Sequence, residues 1–117
     1  MLRILVVDDN FDTARTFYVV LRGAGHEAEF AVNGYSAIES ARRFRPEVVL
    51  LDIGLPDFDG CDLARVLRSE PGLEHARIFA VSGREEDRRR ALEAGCDDYL
   101  KKPVDPFALE RMLRPIR

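Results

Sequence analysis

The chain has 117 residues, of which 46% are hydrophobic and 33% are charged. This length and composition predict one folded domain, spanning residues 1–117, and exclude a disordered chain or a second domain of ordinary size within them. The 18 basic and 21 acidic side chains give a formal net charge of −3, which argues against a nucleic-acid or anionic-membrane partner recognised by charge alone.

Short aliphatic strands alternate with amphipathic helices through the first half of the chain. Residues 2–7 predict a strand buried on both faces, and Asn10 suits the N-cap of a following helix. The apolar stripe of that helix is assigned to Phe11, Ala14, Tyr18 and Leu21. Residues 27–32 predict a second strand, and the stripe of a second helix falls at Ala37, Ile38, Ala41 and Phe44. Residues 47–51 predict a third strand that ends in Asp52.

The alternation continues to the end of the chain. A third helix is predicted with Leu63, Ala64 and Leu67 on one face, followed by a fourth strand over residues 77–81. A polar helix covers about residues 85–94, and residues 98–100 form a short fifth strand. Asp105 and Pro106 suit the start of a last helix. Its apolar stripe is Leu109, Met112, Leu113 and Ile116.

Strict alternation of apolar strands and helices predicts right-handed crossovers and a parallel sheet covered on both faces. The expected fold is therefore α/β, a doubly wound five-stranded parallel sheet. No linker interrupts it, and these residues leave no room for an attached output domain. Uninterrupted aliphatic stretches are only a few residues long, so we expect no membrane span. The first residues lack a signal peptide pattern, which indicates a cytoplasmic protein.

Polar side chains stand at four predicted strand ends, where ligands of open α/β sheets bind. They are Asp8 and Asp9, Asp52, Ser82, and Lys102. Three carboxylates brought within several ångströms repel one another and need a cation, and oxygen ligands favour Mg²⁺. Any one of these residues taken alone is more often structural, as a helix cap, a turn residue or a solvated charge. Their agreement on one electrostatic design favours a site.

The basic residues support the same position. Sixteen of the 18 are arginine, and the two lysines, Lys101 and Lys102, lie beside the proposed anionic site. A compact ammonium suits a carboxylate or a phosphoryl oxygen as a point-charge partner. The two histidines, at positions 26 and 75, and the two cysteines, at positions 61 and 96, show no metal-ligand spacing. We assign the histidines structural roles and expect the cysteines to be reduced thiols.

Four segments together resemble the receiver domains of two-component response regulators, including the chemotaxis regulators. They are residues 4–10, 51–60, 80–83 and 94–103, and the resemblance covers essentially the whole chain. It implies a flavodoxin-like (βα)5 fold with strand order 2-1-3-4-5. It also implies a switch that accepts a phosphoryl group from a histidine kinase or phosphotransfer protein on Asp52 and acts on no external substrate.

The resemblance further implies the role of each site residue. Mg²⁺ is expected to be held by Asp9, Asp52 and the backbone carbonyl of Gly54, with Asp8 acting mainly through water. Lys102 pairs with the phosphoryl group, and its bond to Pro103 is expected to be cis. The hydroxyl of Ser82 moves to the phosphoryl group, and the rotamer of Tyr99 reports that movement; alternatively, Tyr99 is only an edge-strand aromatic.

A downstream protein is expected to bind the face built from the fourth helix, the fifth strand and the fifth helix. The chain is expected to be a monomer or a phosphorylation-dependent dimer, and no nucleic-acid partner is expected. Within that face, residues 88–90 predict a surface that affects partner binding and leaves phosphoryl uptake unchanged. The cognate kinase, and whether the domain stands alone or belongs to a hybrid kinase, stay open.

Three other functions are compatible with an α/β domain of this size, and the sequence bears on each. A dinucleotide- or flavin-binding domain lacks support because residues 8–12 carry aspartates where a glycine-rich phosphate cradle would stand. A small Mg²⁺-dependent phosphatase needs a substrate-covering insertion, for which no segment is long enough. An unphosphorylated receiver-like interaction module is the remaining alternative, and the complete set of acidic, hydroxyl and lysine residues argues against it.

Overall fold

Five parallel strands form the centre of the structure, a computed structural model that describes residues 1–116. The strands are β1 (Arg3–Val7), β2 (Glu27–Ala31), β3 (Val48–Asp52), β4 (Arg77–Ser82) and β5 (Asp98–Lys101). They pair in the order β2-β1-β3-β4-β5. The expected doubly wound parallel sheet and its strand order are confirmed. Arg117, at the end of the predicted domain, lies outside the described residues.

Helices cover both faces of this sheet. They are α1 (Phe11–Gly23), α2 (Gly34–Phe44), α3 (Gly60–Ser69), α4 (Asp87–Glu93) and α5 (Pro106–Leu113), followed by a 3₁₀ turn at Arg114–Ile116. Asn10, Asn33, Asp59 and Asp105 cap four of them through side-chain oxygens that accept backbone N–H groups. Within residues 1–116, no helix is both long and apolar enough to cross a bilayer.

The core has two layers because successive side chains of a strand point to opposite faces of the sheet. Leu5 and Val7 of β1 face α2, α3 and α4, where they meet buried residues such as Leu63. Ile4 and Val6 face α1 and α5. Every residue of β3 is buried, as expected for a central strand covered on both sides. The carboxyl ends of the strands are thereby held rigidly at one edge.

Two predicted helix stripes are wrong in detail. In α1 the buried residues are Ala14, Phe17 and Leu21, whereas Phe11 is 55% exposed. Both phenylalanines fit a helical period, but only Phe17 shares the inward face of Ala14 and Leu21. Phe11 instead packs against the edge of Phe30 on β2. In α5 the predicted member Met112 is 44% exposed.

Element boundaries differ from the sequence prediction by one or two residues. Strands β3 and β4 run one residue further and include Asp52 and Ser82, while β1 begins one residue later. Helix α4 begins at Asp87 and not near residue 85, because the preceding residues form a turn in which the Asp87 N–H donates to the Arg84 carbonyl. The strand ends therefore carry the candidate site residues directly.

His26 and the two cysteines take structural positions, whereas His75 is exposed. His26 is buried; its Nδ1 accepts the Leu2 N–H at 3.1 Å and its Nε2 lies 3.4 Å from Oε2 of Glu110 in α5. It thus ties the start of the sheet to the last helix. Cys61 and Cys96 are both free thiols and buried.

Candidate functional site

Three carboxylates meet at the carboxyl ends of the two central strands. Asp8 and Asp9 follow β1, and Asp52 ends β3, which pairs with β1 so that Val7 lies beside Leu51. One carboxylate oxygen from each of the three lies within 4.8 Å of the others. They line a cleft of about 720 Å³ at this edge of the sheet. The convergence predicted from the strand ends is present.

Asp52 lies at the centre of the cluster and is 5% exposed. Its Oδ1 accepts the Gly54 N–H at 3.1 Å, and its Oδ2 lies 3.2 Å from Nζ of Lys102. Of the two neighbouring lysines, Lys102 therefore faces the site. Its side chain is 40% exposed, so the ammonium group has room to move. The Lys102–Pro103 peptide bond is cis, as the resemblance implies.

Three ionised carboxylates in this cluster repel one another, and burial makes the charge on Asp8 still less favourable. Burial raises the pKa of Asp8, and the charges of Asp52 and Asp9 raise it further. A hydrogen bond from the Asn10 N–H, at 2.9 Å, and the charge of Lys102 act in the opposite direction. A single lysine thus faces three acids. The site has a deficit of positive charge that a bound cation would relieve.

The donors present fit a hard divalent ion. All three are carboxylates, and within the described residues no cysteine or histidine joins the group that could hold a metal. Carboxylate oxygens together with water suit Mg²⁺, which usually binds one or two carboxylates and keeps several waters. The residues of this chain therefore fit the ion that the sequence predicted.

Ser82 ends β4, the strand next to β3, and its hydroxyl is engaged. The Oγ lies 2.6 Å from Oδ2 of Asp87 in the first turn of α4 and accepts the Arg84 N–H at 2.9 Å. The carbonyl of Arg84 is a second possible acceptor at 3.3 Å. The single hydroxyl hydrogen goes to Asp87, since an O–H···carboxylate bond of this length is the stronger of the two.

Tyr99 of β5 is buried and points under the loop that follows β4. Its hydroxyl donates to the Arg84 carbonyl at 2.6 Å, and the guanidinium of Arg88 lies 5.6 Å from the ring centroid. Tyr99 and Ser82 therefore hold the same short loop from two sides.

Two acidic residues near the site escaped the sequence analysis. Asp57, in the loop after β3, accepts the N–H groups of Gly34 and Tyr35 at 2.8 and 3.1 Å, and these bonds lower its pKa. Asp87 falls within the predicted polar helix of residues 85–94, and the sequence gives it no role in the site. Neither contact could be predicted from local sequence. Asp57 caps a helix that begins 23 residues earlier in the chain. The five-residue separation of Ser82 and Asp87 matches neither the strand nor the helix repeat.

Comparison with known proteins gives a family and a set of relatives. The family model of the response regulator receiver domain matches residues 4–114. MtrA of Mycobacterium tuberculosis, named a DNA-binding response regulator, is 39% identical over 112 residues, which are 96% of this chain and 49% of MtrA. The transcriptional regulatory protein PrrA of Mycobacterium bovis is 39% identical over 115 residues, 98% of this chain and 48% of PrrA. The chain spans about half the length of these curated relatives.

Solved structures share the fold. Chemotaxis response regulator CheY4 of Vibrio cholerae superposes with a TM-score of 0.91 over 100% of this chain and 99% of CheY4, at 24% identity. The receiver domain of the sensor histidine kinase PA1611 from Pseudomonas aeruginosa PAO1 has a TM-score of 0.86 and 32% identity, over 97% of this chain and 95% of that domain. The PA1611 structure has a magnesium ion coordinated in its active-site cleft.

Proposed function

The chain belongs to the family of response regulator receiver domains, and from that premise we propose that Asp52 accepts a phosphoryl group from a histidine kinase or phosphotransfer protein. One observation carries the proposal. Asp52 is buried against Lys102 within a cluster of three carboxylates at the edge of the sheet. Repulsion makes such a cluster unfavourable unless it binds a cation, and the bound cation together with Lys102 attracts an anion such as a phosphoryl group.

We assign metal binding to Asp8, Asp9 and Asp52, with the backbone carbonyl of Gly54 as a further ligand and Asp8 acting mainly through water. Mg²⁺ bound there would neutralise the charge of the incoming phosphate and align the attacking and leaving oxygens. The chain's own residues supply the positioning. The Gly54 N–H fixes one oxygen of Asp52, and Lys102 balances the charge at the other.

In the transfer, a bond forms between a carboxylate oxygen of Asp52 and phosphorus as the bond from phosphorus to the donor breaks. The donor is the phosphohistidine of the partner, or a small acyl phosphate in vitro, and it leaves with its bonding electron pair. Lys102 then pairs with a phosphoryl oxygen. The hydroxyl of Ser82 leaves its present acceptor and donates to the new anion, which carries nearly two negative charges in place of the single charge of the free carboxylate.

We further propose that the output is a change in the face formed by α4, β5 and α5. Ser82 and Tyr99 both hold the loop that leads into α4, so a displaced Ser82 acts on this face first. The partner is proposed to be a protein, bound by a monomer or a phosphorylation-dependent dimer of a single domain over residues 1–117, in the cytoplasm. MtrA is named DNA-binding, and this chain spans 49% of its length. The net charge of −3 on residues 1–117 does not favour DNA contact by these residues themselves.

The test is intact-mass spectrometry after incubation with acetyl phosphate. We expect one phosphoryl adduct on the wild type that requires Mg²⁺, is absent with a chelator, and is absent from Asp52→Ala. Asp57→Ala is the matched control, since it removes an acid from the same loop outside the cluster, and it should still form the adduct. Failure of the wild type to form an adduct while Mg²⁺ still raises its Tm would favour an unphosphorylated interaction module.

A further inference from the structure

The hydroxyl of Ser82 has a carboxylate partner that the proposed phosphoryl switch does not require. It donates to Oδ2 of Asp87 at 2.6 Å, within the range of charge-assisted hydrogen bonds between hydroxyls and carboxylates. The side chain of Asp87 is only 13% exposed. Such a bond, shielded from water, is among the stronger ones that a serine makes.

An acidic residue in the first turn of a helix often accepts hydrogen bonds from the backbone N–H groups there, but Asp87 does not. Within the described residues, its carboxylate caps no backbone N–H of α4, and its recorded partners are Ser82 and Arg90. Its Oδ1 lies 3.4 Å from Nη1 of Arg90. The carboxylate is therefore oriented toward β4 by side chains and not by the helix it begins.

Arg90 carries the connection to the loop that contains the proposed acceptor. Its Nη2 donates to Oδ2 of Asp59 at 2.7 Å. Asp59 caps α3, where its Oδ1 accepts the Cys61 N–H at 2.8 Å. It is also paired by an isolated antiparallel bridge to Gly54, two residues after Asp52. Ser82, Asp87, Arg90 and Asp59 thus form one continuous polar connection from β4 through α4 to the loop after β3.

A hydroxyl has one hydrogen, so Ser82 cannot donate to Asp87 and to a phosphoryl group at the same time. From this competition we infer that Asp87 is a positioning residue that holds the Ser82 hydroxyl on α4 in the unphosphorylated protein and opposes phosphorylation of Asp52. We call this contact the Asp87 latch. It rests on the proposed function of Asp52 and deepens it, since it gives the phosphoryl group a specific competitor.

The latch also explains how the signal reaches the helix. When Ser82 donates to the phosphoryl group, Asp87 loses its shortest hydrogen bond and keeps only the longer contact with Arg90. The first turn of α4 is then tied to β4 by one bond fewer. Phosphorylation and the release of α4 are therefore two sides of a single equilibrium, as linkage requires.

The test compares Asp87→Ala, Asp87→Asn and Glu86→Ala with the wild type. Glu86 is the matched control, because it is exposed, lies one residue earlier and makes no recorded hydrogen bond or ion pair with residues 1–116. The phosphorylated fraction is measured by intact mass across a series of acetyl phosphate concentrations with Mg²⁺. We expect Asp87→Ala to lower the half-saturating concentration by about tenfold, the equivalent of one charged hydrogen bond. Asp87→Asn keeps an acceptor and should show a smaller effect.

A Ser82→Ala background separates the latch from a general effect on folding. There the Asp87→Ala change should alter the half-saturating concentration no more than Glu86→Ala does, because the hydroxyl on which the latch acts is gone. A second readout uses no phosphodonor. The Arg84 amide, which donates to Ser82 Oγ, should exchange its hydrogen faster in Asp87→Ala than in Glu86→Ala when followed by NMR.

The latch is refuted if Asp87→Ala and Glu86→Ala take up phosphoryl groups with the same concentration dependence as the wild type. It is also refuted if the gain from Asp87→Ala persists in full in the Ser82→Ala background. A wild type that forms no adduct at Asp52 would refute the proposed function itself, and the latch with it. The two failures are therefore distinguishable in one experiment.

Discussion

At the scale of single residues, Asp8 shows the cost of assembling this site. It is 6% exposed, and its pKa is raised by burial and by the neighbouring charges of Asp52 and Asp9. A raised pKa means that the ionised form of the carboxyl group is less favourable in the folded protein than in the unfolded chain. Without a bound cation, repulsion among the three carboxylates therefore lowers the free energy of unfolding, and removal of one charge would raise it.

We predict that Asp8→Asn stabilises the protein in the absence of Mg²⁺, by about 1 kcal/mol, the scale of one partly screened contact between like charges. The amide oxygen keeps the hydrogen bond from the Asn10 N–H. Thermal unfolding with a chelator should show a higher Tm for the variant, and addition of Mg²⁺ should raise its Tm less than that of the wild type. Asp12→Asn, at an exposed position of α1, is the control. A variant that is less stable than the wild type without metal would contradict the prediction.

At the scale of elements, the start of α3 depends on Gly60. A Cβ at this position would overlap the backbone of Ile53, in the loop after β3, whose carbonyl accepts the Gly60 N–H at 3.1 Å. Backbone cannot move aside as a flexible side chain does. The close approach of helix and loop is what sets the path of the chain from Asp52 to α3.

We predict that Gly60→Ala destabilises the protein by about 1–3 kcal/mol, the usual range for overpacking a buried site. Gly83→Ala is the matched control, since a Cβ there meets no atom within 4 Å, and its stability should stay close to that of the wild type. Urea denaturation of the two variants measures both. Equal urea midpoints for Gly60→Ala and the wild type would contradict the prediction, because the loop would then move aside without loss of stability.

Asp57 links the loop after β3 to α2. Because hydrogen bonds from Gly34 and Tyr35 lower its folded pKa, its contribution to stability is present above the unfolded pKa and is lost as pH falls through the lowered folded value. We predict that Asp57→Ala has a lower Tm than the wild type at neutral pH. The difference should shrink below about pH 4, where free aspartate titrates. Curves of Tm against pH that stay parallel through this range would contradict the assignment.

At the scale of the whole molecule, the two cysteines report on the integrity of one core layer. Both belong to the cluster between the sheet and α2, α3 and α4. Burial raises the pKa of Cys61 and raises that of Cys96 to about 12. We predict that neither reacts with iodoacetamide in native buffer at neutral pH, and that both react at the rate of unfolding when denaturant is added. Fast alkylation in native buffer would show that this layer opens locally.

Local sequence predicts the sheet and places the carboxyl ends of its strands at one edge. Continuous aliphatic runs such as the one in β3 mark strands buried on both faces, and parallel strands bring their carboxyl ends to one edge. Asp8, Asp9, Asp52 and Lys102 could therefore be placed together from the sequence. The choice between Phe11 and Phe17 could not be made in this way, because both satisfy the helical period and only packing against the sheet distinguishes them.

Contacts between loops also could not be predicted from the sequence. The cap that Asp57 supplies to α2 joins residues far apart in the chain, and the bond between Ser82 and Asp87 depends on where the turn before α4 ends. Such contacts are fixed by how elements dock and not by the periodicity of any element. Both contacts lie around the proposed phosphoryl site.

The most direct test of the proposed function is to locate the phosphoryl group. Incubation with acetyl phosphate and Mg²⁺, followed by borohydride reduction and peptide mapping, converts an aspartyl phosphate to homoserine at its own position. We predict homoserine at residue 52, none at positions 8, 9 or 57, and none when Mg²⁺ is chelated. Homoserine at another aspartate, or at none despite Mg²⁺ binding, would contradict the assignment of Asp52 as the acceptor.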